Sequence, residues 1–276
     1  KNMPDKRTFS FEFFPPKTPE GMEKLRATRQ QLAQLKPKFF SVTYGAGGST
    51  RDRTLETVME IQASGSASAP HLSCIGSTQE SIQEILDLFK AKGIRHIVAL
   101  RGDLPSGMAD PGEFRYANEL VAFIRKQTGD WFHIEVAAYP EFHPQAKNAQ
   151  DDLANFKRKV EAGANAGITQ YFYNADAYFR FVDDCVAMNV NIPIVPGIMP
   201  ITNCAQLSRF SDACGAEIPR WIRKRLEAYG EDLDSIRAFG LDVVTDLCDH
   251  LLQGGAPGLH FYTLNQAGPS SIIWQR

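Results

Sequence analysis

The chain has 276 residues, a formal net charge of -2, 43% hydrophobic and 22% charged residues, within the size of one large α/β domain. The near-neutral balance gives no electrostatic reason to expect nucleic acid or an anionic membrane as a partner. No apolar run reaches the roughly 18 residues of a membrane span, and the opening KNMPDKRTFS lacks the apolar stretch of a secretory signal, so a cytoplasmic location is expected.

In chain order, short apolar or β-branched runs predict strands at FSFEFF (from Ser10 or just before), FFSVTYG (39–45), PHLSCI (from Pro70) and RHIVALRGD (95–103). Four more follow at HIEVAAYP (133–140), GITQYFYN (167–174), IPIVPGIMP (192–200) and LHFYTLN (259–265). The runs are continuous, as in strands buried on both faces. Amphipathic stripes alternate with them: Ile82, Ile85, Leu86 and Phe89; Leu153, Phe156 and Val160; Val243, Val244, Leu247 and Leu251. Strict alternation of strand and helix implies a parallel sheet. About eight units in this length favour a closed (β/α)8 barrel over an open doubly wound sheet. Residues 1–276 are therefore expected to form a single domain. No GxGxxG or GxxxxGK[ST] string occurs, and GAGGST (45–50) departs from the dinucleotide spacing. The five cysteines (Cys74, Cys185, Cys204, Cys214 and Cys248) contain no CxxC pair. They read as small buried hydrophobes in a reducing compartment, not as a disulfide framework.

The active site of such a barrel lies at the C-terminal ends of its strands. Those ends carry Glu12, Thr43, Tyr44, His71, Arg101, Asp103, Tyr139, His143, Gln170, Tyr262 and Asn265. Of these, Glu12, Asp103 and the histidines suit proton transfer near neutral pH. Glu12 stands among Phe11, Phe13 and Phe14. Desolvation there is expected to raise its pKa and let it serve as a general acid. The alternative is a buried Glu paired with a base such as Arg101. Arg101 and Asp103 share strand parity and should both face the barrel mouth, where an ordinary ion pair is the alternative. The six histidines show no HxH or HExxH spacing, so no metal is expected. Lys157, Arg158 and Lys159 form a basic run on the helix after the fifth strand, either a solvated face or a phosphate holder.

These strings together resemble the methylenetetrahydrofolate reductase family. FEFFPPKT, FFSVTYGAGG, APHLSC, GIRHIVALRGDLP, EVAAYPEFHP, FKRKVEAGANAGITQYFY, VPGIMPITN and HFYTLN occur in family order and span nearly the whole chain. The resemblance implies a barrel holding FAD, with NAD(P)H (NADH favoured) as reductant and methylenetetrahydrofolate as substrate. It also implies a homo-oligomer and a role in supplying one-carbon units to methionine synthesis. It casts Glu12 as the acid that protonates N10 of the folate and opens its five-membered ring to a 5-iminium cation. Asp103 would lie near the flavin and pterin rings. FAD contacts would come from Tyr44, Ala46, His71, Arg101, Gly102, Asp103, Tyr116, Ala117, Tyr139, His143, Ala146, Asp152, Asn155, Arg158 and Lys159. Thr43 and Gln170 would meet the nicotinamide nucleotide. Glu12, Asp103, Gln170, Gln206 and Phe210 would meet folate. One departure is Gln266, where the family pattern has Arg after HFYTLN. No S-adenosylmethionine-binding domain follows the eighth strand, so feedback by that ligand is not expected. Two rival readings stay open: a flavin barrel of the proline dehydrogenase type, and a non-catalytic folate or flavin carrier.

Overall fold

The structure, a computed structural model, describes residues 7–44, 49–101, 112–141, 149–202, 207–208, 217–266 and 268–269. Strands and helices alternate: β1 (Thr8–Phe13), α1 (Pro19–Ala33), β2 (Phe39–Val42), α2 (Ser49–Ala63), β3 (Ser68–Ser73), α3 (Gln79–Ala91), β4 (His96–Leu100), α4 (Ala117–Thr128) and β5 (His133–Ala138). Then come α5 (Ala149–Glu161), β6 (Ala166–Thr169), α6 (Ala175–Ala187), β7 (Ile194–Val195), β8 (Gly197–Ile198), α7 (Arg220–Tyr229), α8 (Leu233–Gln253) and β9 (Gly258–Tyr262). All strand pairings are parallel, in the order β7-β6-β5-β4-β3-β2-β1-β9-β8. β7 and β8 are consecutive pieces of one run, so the sheet's two edges meet there and the barrel is nearly closed, as the βαβ pattern predicts.

β1 shows how sequence sets the layers. Successive side chains in a strand point to opposite faces. Phe11 and Phe13 turn outward and are buried, stacking on Phe40 at 6.1 and 5.3 Å between centroids, and Phe11 also stacks on Phe261 at 5.4 Å. That outer layer is continuous with the helical stripes: Ile82, Ile85, Leu86 and Phe89 are buried on α3, Phe156 on α5, and Val244, Leu247 and Leu251 on α8. Ser10 and Glu12, on the opposite face of β1, look into the lumen. A separate apolar layer of Phe39, Ala69, Val98 and Ile168 fills the lumen below them, so the interior is packed, not a pore.

Several strand expectations need correction: β2, β4, β5, β6 and β9 end at Val42, Leu100, Ala138, Thr169 and Tyr262, short of the runs expected for them. The run 192–200 was read as one strand, but it is divided at Pro196, which has no N–H to give a ladder. Before it β7 pairs with β6; after it β8 pairs with β9. Gly197 suits this crossing, because a Cβ there would meet Thr169 O at 2.2 Å and the Tyr262 ring at 2.6 Å. Its N–H donates to Thr169 Oγ1 at 2.8 Å, and Tyr262 Oη donates to Thr169 O at 2.6 Å. Strand β3 begins at Ser68, not Pro70, which puts His71 inside a strand and not at its start. Among the described residues no helix is long and apolar enough to cross a membrane.

Candidate active site

Glu12 stands near the C-terminal end of β1, level with Ser41 of β2 and Tyr262 of β9. Its side chain is 17% exposed, and its Oε1 lies 3.0 Å from His71 Nε2 and 3.6 Å from His260 Nε2. Ser41 Oγ donates to the same oxygen at 3.5 Å. Behind it, Ser10 Oγ and His260 Nδ1 are 2.6 Å apart. Three strands therefore bring one carboxyl and two imidazoles together at the mouth.

The electrostatics correct the expectation of a raised pKa. Burial is the largest influence on Glu12 and does push its carboxyl up. The charges and hydrogen bonds of His71 and His260 together outweigh it and bring the carboxyl down to about 2. The alternative partner Arg101 is not the one found; two histidines hold the position.

The other expected residues divide. Thr43 and Tyr44 follow β2, where Thr43 N–H donates to Phe13 O at 2.9 Å and ties them to β1. Arg101 follows β4. Gln170 follows β6, its N–H on Ala138 O at 2.8 Å and its Oε1 accepting from Tyr171 N at 3.0 Å. Tyr116 stands at the N-cap of α4 and is 56% exposed, and Ala117 beside it is buried. Gln266 is exposed after β9. Ala46, Gly102, Asp103, His143, Ala146, Gln206 and Phe210 lie outside the described residues, as do Cys204 and Cys214.

The basic run on α5 splits by helical geometry. Lys157 faces solvent with Glu161 3.9 Å away, and exposed Arg158 donates to Asn155 Oδ1 at 2.6 Å. Lys159 turns inward beside Tyr139, its Nζ 5.7 Å from the ring centre, and donates to Ala137 O at 2.9 Å. Burial lowers its ammonium to about 8, against the pull of buried Asp152. The Lys159 ammonium and the exposed Tyr116 are the described side chains here whose chemistry suits a phosphate and a flat base of a cofactor.

Two features escaped the sequence reading. His260 lies two residues before Tyr262, on the same strand face; that parity was the available signal. Glu141, after β5, accepts from Glu217 N at 2.7 Å and joins the β5 loop to the segment before α7. Burial, with added repulsion from Glu217, pushes its carboxyl up to about 7 against that hydrogen bond. Among the described residues no three His, Cys, Asp or Glu side chains are grouped as metal ligands would be.

The methylenetetrahydrofolate reductase family model matches residues 2–276. The chain is 44% identical over 265 residues to the 5,10-methylenetetrahydrofolate reductase of Escherichia coli K12, covering 96% of this chain and 88% of that one. It is 41% identical over 271 residues to methylenetetrahydrofolate reductase (NADH) 1 of Arabidopsis thaliana, covering 93% of this chain and 46% of that one. A solved structure from Clostridium thermocellum, of a protein that binds two copies of 5-methyl-5,6,7,8-tetrahydrofolic acid, shares the fold. Its TM-score is 0.66 at 14% identity, with 97% of this chain and 93% of that one covered. A match over this length displaces the proline dehydrogenase and carrier readings: the chain belongs to the methylenetetrahydrofolate reductase family and is an oxidoreductase.

Proposed function

We propose that this chain reduces 5,10-methylenetetrahydrofolate to 5-methyltetrahydrofolate with NAD(P)H, NADH favoured, and that residues 1–276 act as one catalytic barrel. The observation that carries the reading is Glu12 between His71 and His260 at the barrel mouth, in a chain of this family. FAD, when bound, supplies the relay of hydride from the nicotinamide to the folate.

The reaction consumes one proton per turnover, and the chain must supply it. Glu12 gives that proton to N10 of the folate; the bond from N10 to the bridging methylene breaks, leaving a 5-iminium cation that accepts hydride. His71 and His260 stand within reach of Glu12 as the groups through which a proton returns to it. Bound folate excludes water from the mouth, which strengthens the penalty on the Glu12 carboxylate and favours its protonated form. Asp103 faces the cationic pterin. Lys159, with Arg158, Asn155 and His143, receives the diphosphate; Tyr116, Ala117, Tyr44, Ala46, His71, Arg101, Gly102, Tyr139, Ala146 and Asp152 complete that cradle. Thr43 meets the nicotinamide nucleotide, and Gln206 and Phe210 meet folate.

Gln170 serves both substrates in turn. With a flavin held in the barrel, each substrate would have to bring its reacting carbon to the same hydride-relaying group at a near-attack distance of about 3.5 Å, so the two would take turns in one pocket and ping-pong kinetics are expected. Parallel double-reciprocal lines, with NADH competing against folate, are expected; intersecting lines would rule out the shared pocket. The decisive test of the whole reading is the visible spectrum of the purified protein. A flavin band that NADH bleaches and methylenetetrahydrofolate restores is expected, and a protein without such a band overturns the reading. The protein acts in the cytoplasm as a homo-oligomer, measurable by light scattering, and its product feeds methionine synthesis.

A further inference from the structure

The ladder of β1 ends at Phe13, one residue beyond Glu12. Pro15 and Pro16 follow and offer no N–H. Phe14 is 45% exposed, so burial does not hold this end of the strand. The segment after β9 does. Thr263 donates to Glu12 O twice, from its N–H at 3.3 Å and from Oγ1 at 2.6 Å. Asn265 then grips the next residue but one on both sides: its Oδ1 accepts from Phe14 N at 3.1 Å and its Nδ2 donates to Phe14 O at 3.0 Å.

The Asn265 carboxamide thus replaces a peptide unit of a neighbouring strand and gives Phe14 the two bonds of a ladder rung. The arrangement is built, not incidental. Asn265 is buried, its own N–H donates to Thr263 Oγ1 at 3.1 Å, and its carbonyl accepts from Thr28 Oγ1 of α1 at 3.2 Å. To reach it, the backbone turns through two successive left-handed residues that are not glycine, Leu264 at φ 51° and Asn265 at φ 58°. That region is unfavourable for leucine above all, and strain of this kind persists where the surroundings enforce it, often beside functional groups.

We infer that Asn265 is a positioning residue for the acid: by clamping Phe14 while Thr263 holds the Glu12 carbonyl, it fixes where the Glu12 carboxyl points between His71 and His260. The inference rests on the reading of Glu12 as the proton donor to folate.

The test uses Asn265→Gly in the FAD-loaded enzyme, because glycine keeps the left-handed backbone and removes only the carboxamide. Stopped-flow is expected to show the folate half-reaction slowed on the order of 10- to 100-fold by the misplaced acid, with reduction by NADH unchanged. Amide exchange at Phe14 should quicken. In the double variant with Glu12→Gln, the folate step should be no slower than in Glu12→Gln alone, since Asn265 acts through that carboxyl. Losses that multiply in the double variant would make Asn265 merely structural and overturn the inference. So would a wild-type folate rate in Asn265→Gly while Glu12→Gln is impaired, leaving the acid assignment intact. A wild-type rate in Glu12→Gln would instead remove the acid assignment and this inference with it. Should Asn265→Gly fail to fold, Thr263→Val keeps the N–H bond to the Glu12 carbonyl, removes the Oγ1 bond to it and the acceptor of Asn265 N–H, and is subject to the same comparisons.

Discussion

The barrel encloses a carboxyl–imidazole pair at each end, and the two are built differently. At the mouth, Glu12 has two rings within 3.6 Å and 17% of its side chain open. At the floor, where β4 and β5 begin, Glu135 is 2% exposed and has one ion-pair partner among the described residues, His133 at 2.9 Å; its second oxygen is buried without a hydrogen-bond partner among them. His96 lies against His133 and Phe39, at 5.3 and 5.7 Å between centroids. Burial first, then the neighbouring charges of His133 and Lys38, hold it down to about 4, so it stays neutral. A sealed carboxyl with one partner can only hold or strain the fold, even though the His133 ring beside it is partly open. A carboxyl with two partners and an opening can pass a proton to something that enters. The residue types are the same; partner number and access to the carboxyl separate chemistry from architecture.

That contrast is most sharply tested at Glu12. Glu12→Gln should keep the fold and reduction by NADH but lose folate reduction by at least about 100-fold, the low end for a general acid; stopped-flow of the two half-reactions reads it. Next is Lys159→Ala, which should leave the apoprotein folded while FAD dissociation rises roughly 10- to 150-fold, from a charge-assisted contact of about 1.5–3 kcal/mol. Flavin loss on dilution no greater than in wild type would return Lys159 to a purely structural role. At the floor, His133→Ala leaves Glu135 without its partner. It should cost about 1–3 kcal/mol in urea unfolding with both half-reactions unaltered; a slowed folate step would erase the distinction between the two ends.

The remaining effects are in pH. Glu12 falls from 4.5 to about 2 on folding, so its stabilisation is present above 4.5 and is lost as pH falls through about 2. Glu141 rises from 4.5 to about 7. The folded state keeps a proton that the unfolded chain releases, so stability declines as pH climbs from 4.5 to about 7 and is level beyond. Melting curves across pH should therefore show Glu12→Gln flattening the acid limb below 4.5. Glu141→Gln should flatten the limb between 4.5 and 7 and melt above wild type at pH 8. Parallel curves for either variant would contradict its assigned environment.

Much of the architecture was legible because period and burial are local. The alternation around Phe11 and Phe13 and the stripe from Ile82 to Phe89 each lie within one element. Glu12 was legible for the same reason, as a carboxyl in an aromatic strand. The direction of its pKa was not, since it depends on rings brought from β3 and β9. The α5 run could not be parsed from charge alone; the helical turn decides that Lys159 enters and Lys157 does not. Pro196 was visible, but its consequence, a change of partner strand, depends on both neighbouring strands.

That change of partner makes the barrel a hoop fastened by a clasp. The run around Pro196 joins the two free edges through four residue pairs, Gly167 with Ile194, Ile168 with Val195, Gly197 with His260 and Ile198 with Phe261. Closure rests on those few rungs, while every other joint between paired strands is a longer ladder. One tooth of the clasp, His260, is also a ring beside Glu12. Loosening the hoop moves the acid's partner, so the mechanics of closure and the proton chemistry cannot drift apart in sequence without each disturbing the other.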